Sequence, residues 1–187
     1  MPKPGIWGEL PPIRVKMPVN KLEVQKPGVQ ASQVLHDIGD NDIALNSVEM
    51  EKKRMKPLFK GFDPQQISSK ELARAGTLLF KTGFIDNLTA DLMNNAGEEY
   101  DKEGNVVDVE KPLNALEFFA GRIARMQEKS AQGDPYAKAL LPDYIRTVHV
   151  IKNLYTFVNS GDSPDMLKTI ALEKQGKIPK GRPMSDL

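Results

Sequence analysis

The chain has 187 residues, of which 40% are hydrophobic and 27% charged, and its 26 lysines and arginines nearly balance its 25 aspartates and glutamates. This length suits one domain of ordinary size, and a net charge of +1 gives no overall field of the kind that marks a nucleic-acid-binding protein. The absence of cysteine excludes disulfides, thiolate metal sites and a cysteine nucleophile. We therefore expect a globular chain without a nucleic-acid partner.

The apolar stretches of the chain are short. None approaches the ~18 consecutive apolar residues that a membrane helix needs. Prolines and glycines interrupt every apolar stretch near the N-terminus, where a signal peptide would need a continuous one. We expect no membrane insertion, and a location in the cytoplasm or within a particle or assembly.

The N-terminal region is rich in proline. Six of the chain's 14 prolines lie there, namely Pro2, Pro4, Pro11, Pro12, Pro18 and Pro27. Each fixes its own φ angle, lacks an N–H and favours extended geometry in the residue before it. The sequence therefore predicts an extended arm over residues 1–30 that forms no helix. A short basic tail, residues 177–187, is also interrupted by prolines.

The arm also carries more apolar side chains than a solvated linker normally has. From Ile13 to Val19 they alternate with polar residues at the period of a β-strand. Because an extended segment cannot bury such a row against itself, we expect it to lie on a partner's groove or sheet edge, with packing on its own domain as the alternative. The predicted partner-binding residues are Ile6, Trp7, Leu10, Ile13, Arg14, Val15, Lys16 and Met17, with Trp7 as the anchor.

Helix signals dominate residues 31–176. Predicted N-caps, some with a capping box or a following proline, are Ser32, Asp40, Ser68 with Glu71, Asp86, Asp134 and Ser163. Apolar residues at intervals of three and four predict core helices at about 112–132 and 143–159, with Pro142 kinking or restarting the second. A second helix is predicted to run from Asp40 through Ile43 and Val48 to Met55.

One segment departs from this pattern. Residues 98–109 place β-favouring side chains after a Lys-Glu-Gly-Asn turn, which indicates a small β-hairpin or an ordered loop. The predicted fold is therefore all-α: a bundle of about five or six helices with this insert and the extended N-terminal arm. Its parts are the arm (1–30), the helical domain (31–176) and the tail (177–187).

Catalytic and metal-binding patterns are weak. The acidic clusters at Asp37–Asp42 and Asp101–Asn105 do not have the spacing of a calcium-binding EF-hand loop, and caps and turns account for them. His149 lies beside the apolar face of the longest predicted helix, which favours a hydrogen-bonded core histidine over a catalytic base. No phosphate-binding glycine motif is present. We expect no cofactor, no bound metal and no enzymatic activity.

These patterns favour a non-catalytic structural or interaction subunit of a larger assembly, whose partners are other protein subunits docked through the N-terminal arm. One alternative is a helical adaptor or regulator that binds a partner helix on its body. A further alternative is a small-molecule-binding or enzymatic helical domain around His149 and Tyr155.

Overall fold

The structure is a computed structural model and describes residues 27–100 and 102–181. The predicted partner-binding residues Ile6, Trp7, Leu10, Ile13, Arg14, Val15, Lys16 and Met17 lie outside the described residues. The fold is an all-α bundle with a small hairpin, as predicted. Its α-helices are α1 (Pro27–Ile38), α2 (Ser47–Lys52), α3 (Ser69–Lys81), α4 (Asn87–Asn94), α5 (Ala115–Ala131), α6 (Pro135–Asn159) and α7 (Pro164–Lys174).

Side-chain caps start most of these helices. The Ser68 hydroxyl accepts the N–H of Glu71 while the Glu71 carboxylate accepts the N–H of Ser68, which completes the predicted capping box of α3. The capping roles predicted for three further residues are also confirmed, since each accepts a backbone N–H of the first turn; these are Asp86 for α4, Asp134 for α6 and Ser163 for α7.

Two antiparallel strand pairs lie beside the helices. The predicted hairpin is present as β2 (Glu99–Tyr100) paired with β3 (Val106–Val107). The second pair was not predicted: β1 (Ile67–Ser68) pairs with β4 (Pro112–Leu113). Pro112 was expected to open a helix, but it lies in β4. Helix α5 begins after Asn114 instead, because the Asn114 side chain accepts the N–H of Glu117.

The N-terminal part of the fold corrects two predictions. Helix α1 begins at Pro27, inside the region predicted as an extended arm, since a proline in the first helical turn has no N–H to leave unpaired. Ser32 therefore lies within α1 and does not cap it. The single helix predicted from Asp40 to Met55 is divided into a 3-10 turn (Asp42–Ala44) and α2, followed by a second 3-10 turn (Lys56–Phe59).

Pro142 does not restart a helix. Helix α6 is continuous for 25 residues and contains this proline in its interior. An interior proline removes one backbone hydrogen bond and usually bends the helix. Here α6 packs along α5 and also contacts α4, so tertiary packing holds the helix together across the missing bond.

The core lies between the α5–α6 hairpin and the elements packed on it, with α1 against α5 and the α3–α4 pair against α6. Its fully buried large side chains include Leu72, Leu79, Met93, Phe119, Ile123, Ile151 and Leu154. Phe119 meets the ring of Phe118 edge-on at 5.3 Å between centroids, and that of Tyr144 at 6.2 Å. None of the helices in the described ranges is both long and apolar enough to cross a bilayer.

Candidate functional site

The connection after α1 is held against the middle of α6. The His149 ring nitrogen Nε2 lies 3.2 Å from the carbonyl oxygens of Ile38 and Gly39. Because carbonyl oxygens only accept hydrogen bonds, Nε2 carries the proton and donates it to the C-terminal end of α1. His149 is 7% exposed, so the prediction of a buried, hydrogen-bonded histidine is confirmed.

Two further side chains of α6 hold the same connection. The Lys152 ammonium pairs with the Asp40 carboxylate and also donates to the Gly39 carbonyl at 3.3 Å. The Asn153 amide donates to the Asn41 carbonyl at 2.7 Å. The hydrogen bond and positive charge of Lys152 lower the pKa of Asp40. Residues 39–41 are therefore held by polar contacts from three side chains on about one turn of α6, those of His149, Lys152 and Asn153.

Two large apolar side chains that follow this connection along the chain are exposed. Ile43, in the Asp42–Ala44 turn, is 89% exposed, and Val48, in the first turn of α2, is 63% exposed. Between them Leu45 is buried and fastens the segment to the core. An exposed isoleucine on a segment held at both ends is a ready contact for a partner, because little backbone entropy is lost when it is covered.

A cleft on one side of Ile43 is mainly apolar. It has a volume of about 590 Å³. Its apolar lining comprises Ile43, Ala44, Leu141, Pro142 and Ile145. We call it the apolar cleft. Among the described residues that line it, the ionisable ones are Lys138, Arg146 and His149, and none is a carboxylate.

A second cleft, lined in part by Asp42, is acidic. It has a volume of about 560 Å³, and its lining includes the carboxylates of Asp40, Asp42 and Glu51 beside Lys152, with Val48 among its apolar residues. We call it the acidic cleft. Three of these four ionisable side chains are anionic and one is cationic. The cleft therefore favours a ligand that is positively charged or that donates hydrogen bonds.

Glu51 has a structural role at the edge of the acidic cleft. Its carboxylate accepts the N–H of Ser163 at 2.8 Å and the Ser163 hydroxyl at 2.6 Å. Burial raises the pKa of Glu51, but these hydrogen bonds and the nearby charge of Lys56 outweigh burial and bring the pKa below its ordinary value. The anionic form is thus used to join α2 to the start of α7.

The other candidate residues do not form a metal site or a shared pocket among the described residues. Within the ranges 27–100 and 102–181, no group of three or more histidine, aspartate or glutamate side chains is placed to hold a metal ion. His149 lines the apolar cleft, whereas Tyr155 is exposed and lines neither of the two clefts. The structure therefore does not bring together the predicted His149–Tyr155 pocket.

The prediction of one helix running from Asp40 through Ile43 and Val48 to Met55 is wrong, because Ile43 lies in a 3-10 turn and Val48 in the separate helix α2. The signal that could have corrected it is a pair of asparagines. Asn41 caps the 3-10 turn and Asn46 caps α2, each by accepting a backbone N–H on its side-chain oxygen. Two caps five residues apart mark two separate starts, and the break between them turns both apolar side chains outward.

No protein-family model matches the chain, nor does any curated protein or solved structure. Evidence for a function therefore comes from the chemistry of this chain itself.

Proposed function

We propose that the chain is a non-catalytic interaction subunit of a larger protein assembly, in the cytoplasm or within a particle, and that its N-terminal arm docks other subunits. The arm supplies the apolar row from Ile13 to Val19, the anchor Trp7 and the cations Arg14 and Lys16. The apolar side chains would bury against a partner surface, while the cations would speed encounter with an acidic one.

The observation on the body that best supports an interaction role is the exposure of Ile43, which lines the apolar cleft. Apolar side chains scattered singly over a surface are normal, but here an 89% exposed isoleucine adjoins a cleft with an apolar lining. Such a surface is typical of a contact that a partner covers. The arm and this surface together would let one subunit contact more than one neighbour.

Association and stability of the full chain test the role of the arm. We expect Trp7→Ala to weaken association, whether measured as self-association by light scattering or as capture of identified partners from native cells. The melting temperature should change little. A large loss of melting temperature with unchanged association would instead mean that Trp7 covers the chain's own core, and the proposal would be wrong.

A second candidate, a helical adaptor that binds a partner helix on its body, is favoured by the apolar cleft. A partner helix laid beside Ile43 would place apolar side chains against Leu141, Pro142 and Ile145. The variant Ile43→Ser separates the two candidates, because Ile43 contributes almost nothing to the chain's own core. If Ile43→Ser abolishes partner binding and Trp7→Ala does not, the body is the principal docking site.

A further inference from the structure

A further surface lies at the closed end of the α5–α6 hairpin, and it shares no lining residue with the apolar cleft. A groove of about 190 Å³ runs between the C-terminal half of α5 and the first turns of α6. We call it the basic groove. Its principal lining residues are Arg122, Arg125, Met126, Lys129, Tyr136 and Leu140.

The three cations of the basic groove form one row. Arg122, Arg125 and Lys129 are spaced by three and four residues on α5, so they share a face of the helix and span about 10 Å of its axis. All three are exposed. Within the described part of the chain, no carboxylate lies within ion-pair distance, 4.0 Å, of any of them.

The contacts that the cations do make leave their charge available. Arg122 lies over the Phe118 ring at 5.2 Å, and Arg125 Nε donates to the Gly121 carbonyl at 3.3 Å. The one carboxylate that lines the groove, Asp134, is occupied as the N-cap of α6, where it accepts the N–H groups of Tyr136 and Ala137. Within residues 27–100 and 102–181, the row thus forms no ion pair.

Apolar groups lie beside this row. Met126 and Leu140 are half-buried and Ala137 is buried, so together they form an apolar base to the groove. Tyr136 is 78% exposed at the rim. Tyrosine and arginine are the residue types that contribute most to binding at protein interfaces, since each combines an apolar or planar body with hydrogen-bonding groups.

We propose that the basic groove docks an acidic amphipathic helix of a partner protein. Carboxylates on successive turns of that helix would pair with Arg122, Arg125 and Lys129, with the arginines able to bind carboxylates through two parallel hydrogen bonds. One apolar side chain between them would enter the groove against Met126 and Leu140. A nucleic-acid backbone fits less well, because its phosphates would satisfy the cations and leave the apolar base uncovered.

The groove residues are not among those on which the proposed function rests, so the inference holds or fails independently of it. The probe is a fluorescein-labelled synthetic helix of glutamate, alanine and leucine, with glutamates at successive turns flanking one leucine. Its binding to the full chain is measured by fluorescence anisotropy at low and at high salt. We expect saturable binding that weakens as salt increases.

Two variants and one control test the groove. Arg125→Glu combined with Lys129→Glu should weaken binding by at least about tenfold, since two attractive charges become repulsive. Tyr136→Ser should weaken binding with little change in its salt dependence. The control, Lys60→Glu combined with Lys168→Glu, makes the same change in net charge at exposed lysines outside the groove. It should leave the affinity within about twofold of the unaltered chain.

Circular dichroism establishes that each variant is folded, which is expected because the altered side chains are exposed. The proposal is wrong if the probe does not bind, if the control pair weakens binding as much as the groove pair, or if Tyr136→Ser has no effect. A labelled DNA duplex is measured in parallel. Tighter binding of the duplex, lost on the same two charge reversals, would make the groove a phosphate-binding surface and would also overturn the proposal.

Discussion

The carboxylate of Glu51 receives both the backbone N–H and the hydroxyl of Ser163, at 2.8 and 2.6 Å, although 112 residues separate the two in sequence. Ser163 in turn caps α7 by accepting the N–H of Met166. One carboxylate therefore holds the residue that starts the last helix, and it does so as an anion.

Replacing that carboxylate should destabilise the fold. Glu51→Gln keeps the shape of the side chain but removes the charge, and its amide NH₂ would face a hydrogen-bond donor of Ser163. Because the site is partly solvated, we expect a loss of about 1 to 2 kcal/mol in the free energy of unfolding, measured by urea denaturation. Glu49→Gln is the control; its exposed carboxylate pairs with Lys52 at 3.7 Å, and a loss of less than about 0.5 kcal/mol is expected.

The same carboxylate should make stability depend on acid pH. The pKa of Glu51 is below its ordinary value, as are those of Asp86, which is hydrogen-bonded by Thr89, and Asp40, which is paired with Lys152. The unfolded chain therefore binds more protons in acid than the folded chain does. This contribution is fully present above the unfolded pKa values, near 4, and is lost as pH falls through the lower folded ones.

Urea denaturation between pH 6 and pH 3 measures this effect. The unaltered chain should lose stability steadily over the lower part of that interval, and Glu51→Gln should lose less, because it has one fewer carboxylate to protonate. Identical pH profiles for the two proteins would show that Glu51 does not contribute to the acid sensitivity.

Removing the histidine that caps α1 should also lower the free energy of unfolding. In His149→Leu the carbonyls of Ile38 and Gly39 lose their shared donor at a buried position, and we expect a loss of about 1 to 3 kcal/mol. The control is His36→Leu, since His36 is largely exposed. Hydrogen exchange should show the greatest loss of protection in the last turn of α1. An equal effect of the two substitutions would contradict the capping role.

Two helical glycines should respond in opposite directions to alanine. A Cβ added at Gly76 would lie 2.9 Å from Met93 Cβ, so Gly76→Ala should force α3 and α4 apart and cost about 1 to 3 kcal/mol. A Cβ at Gly121 would have no neighbour within 4 Å, so Gly121→Ala should stabilise α5 by about 0.5 to 1 kcal/mol. The melting temperatures of the two variants test this prediction. A lower melting temperature for both would mean that a Cβ at Gly121 also meets a neighbouring group.

Local signals in the sequence account for most of the helix starts. Asp134 followed by Pro135 begins α6, and Ser68 with Glu71 begins α3, because in each case the side chain that satisfies the first N–H groups lies within three residues of them. The continuity of α6 through Pro142 could not be read in this way. It depends on packing against α5, the preceding helix, and against α4, and no local pattern around Pro142 encodes these contacts. The pairing of β1 with β4 could not be predicted either, because it joins Ile67 to Leu113 and no local pattern encodes a two-residue contact across that separation.

The candidate surface was less predictable than the fold. The exposure of Ile43 follows from where α2 begins, a boundary set by the Asn46 side chain. His149 was recognisable as a buried histidine, but its acceptors belong to α1 and became evident only in three dimensions.

The attachment of α7 has a consequence for how the molecule opens. Met166 is the buried residue of this helix and Ile170 is half-buried. Polar contacts also hold the segment: Ser163 to Glu51, Glu173 to Arg54, and, just before the helix, Asp162 to Lys56 at 3.9 Å. Such carboxylate contacts weaken in acid, whereas burial of the apolar core does not depend on charge. The C-terminal helix should therefore detach as a separate cooperative unit before the rest melts, giving unfolding in two steps rather than one.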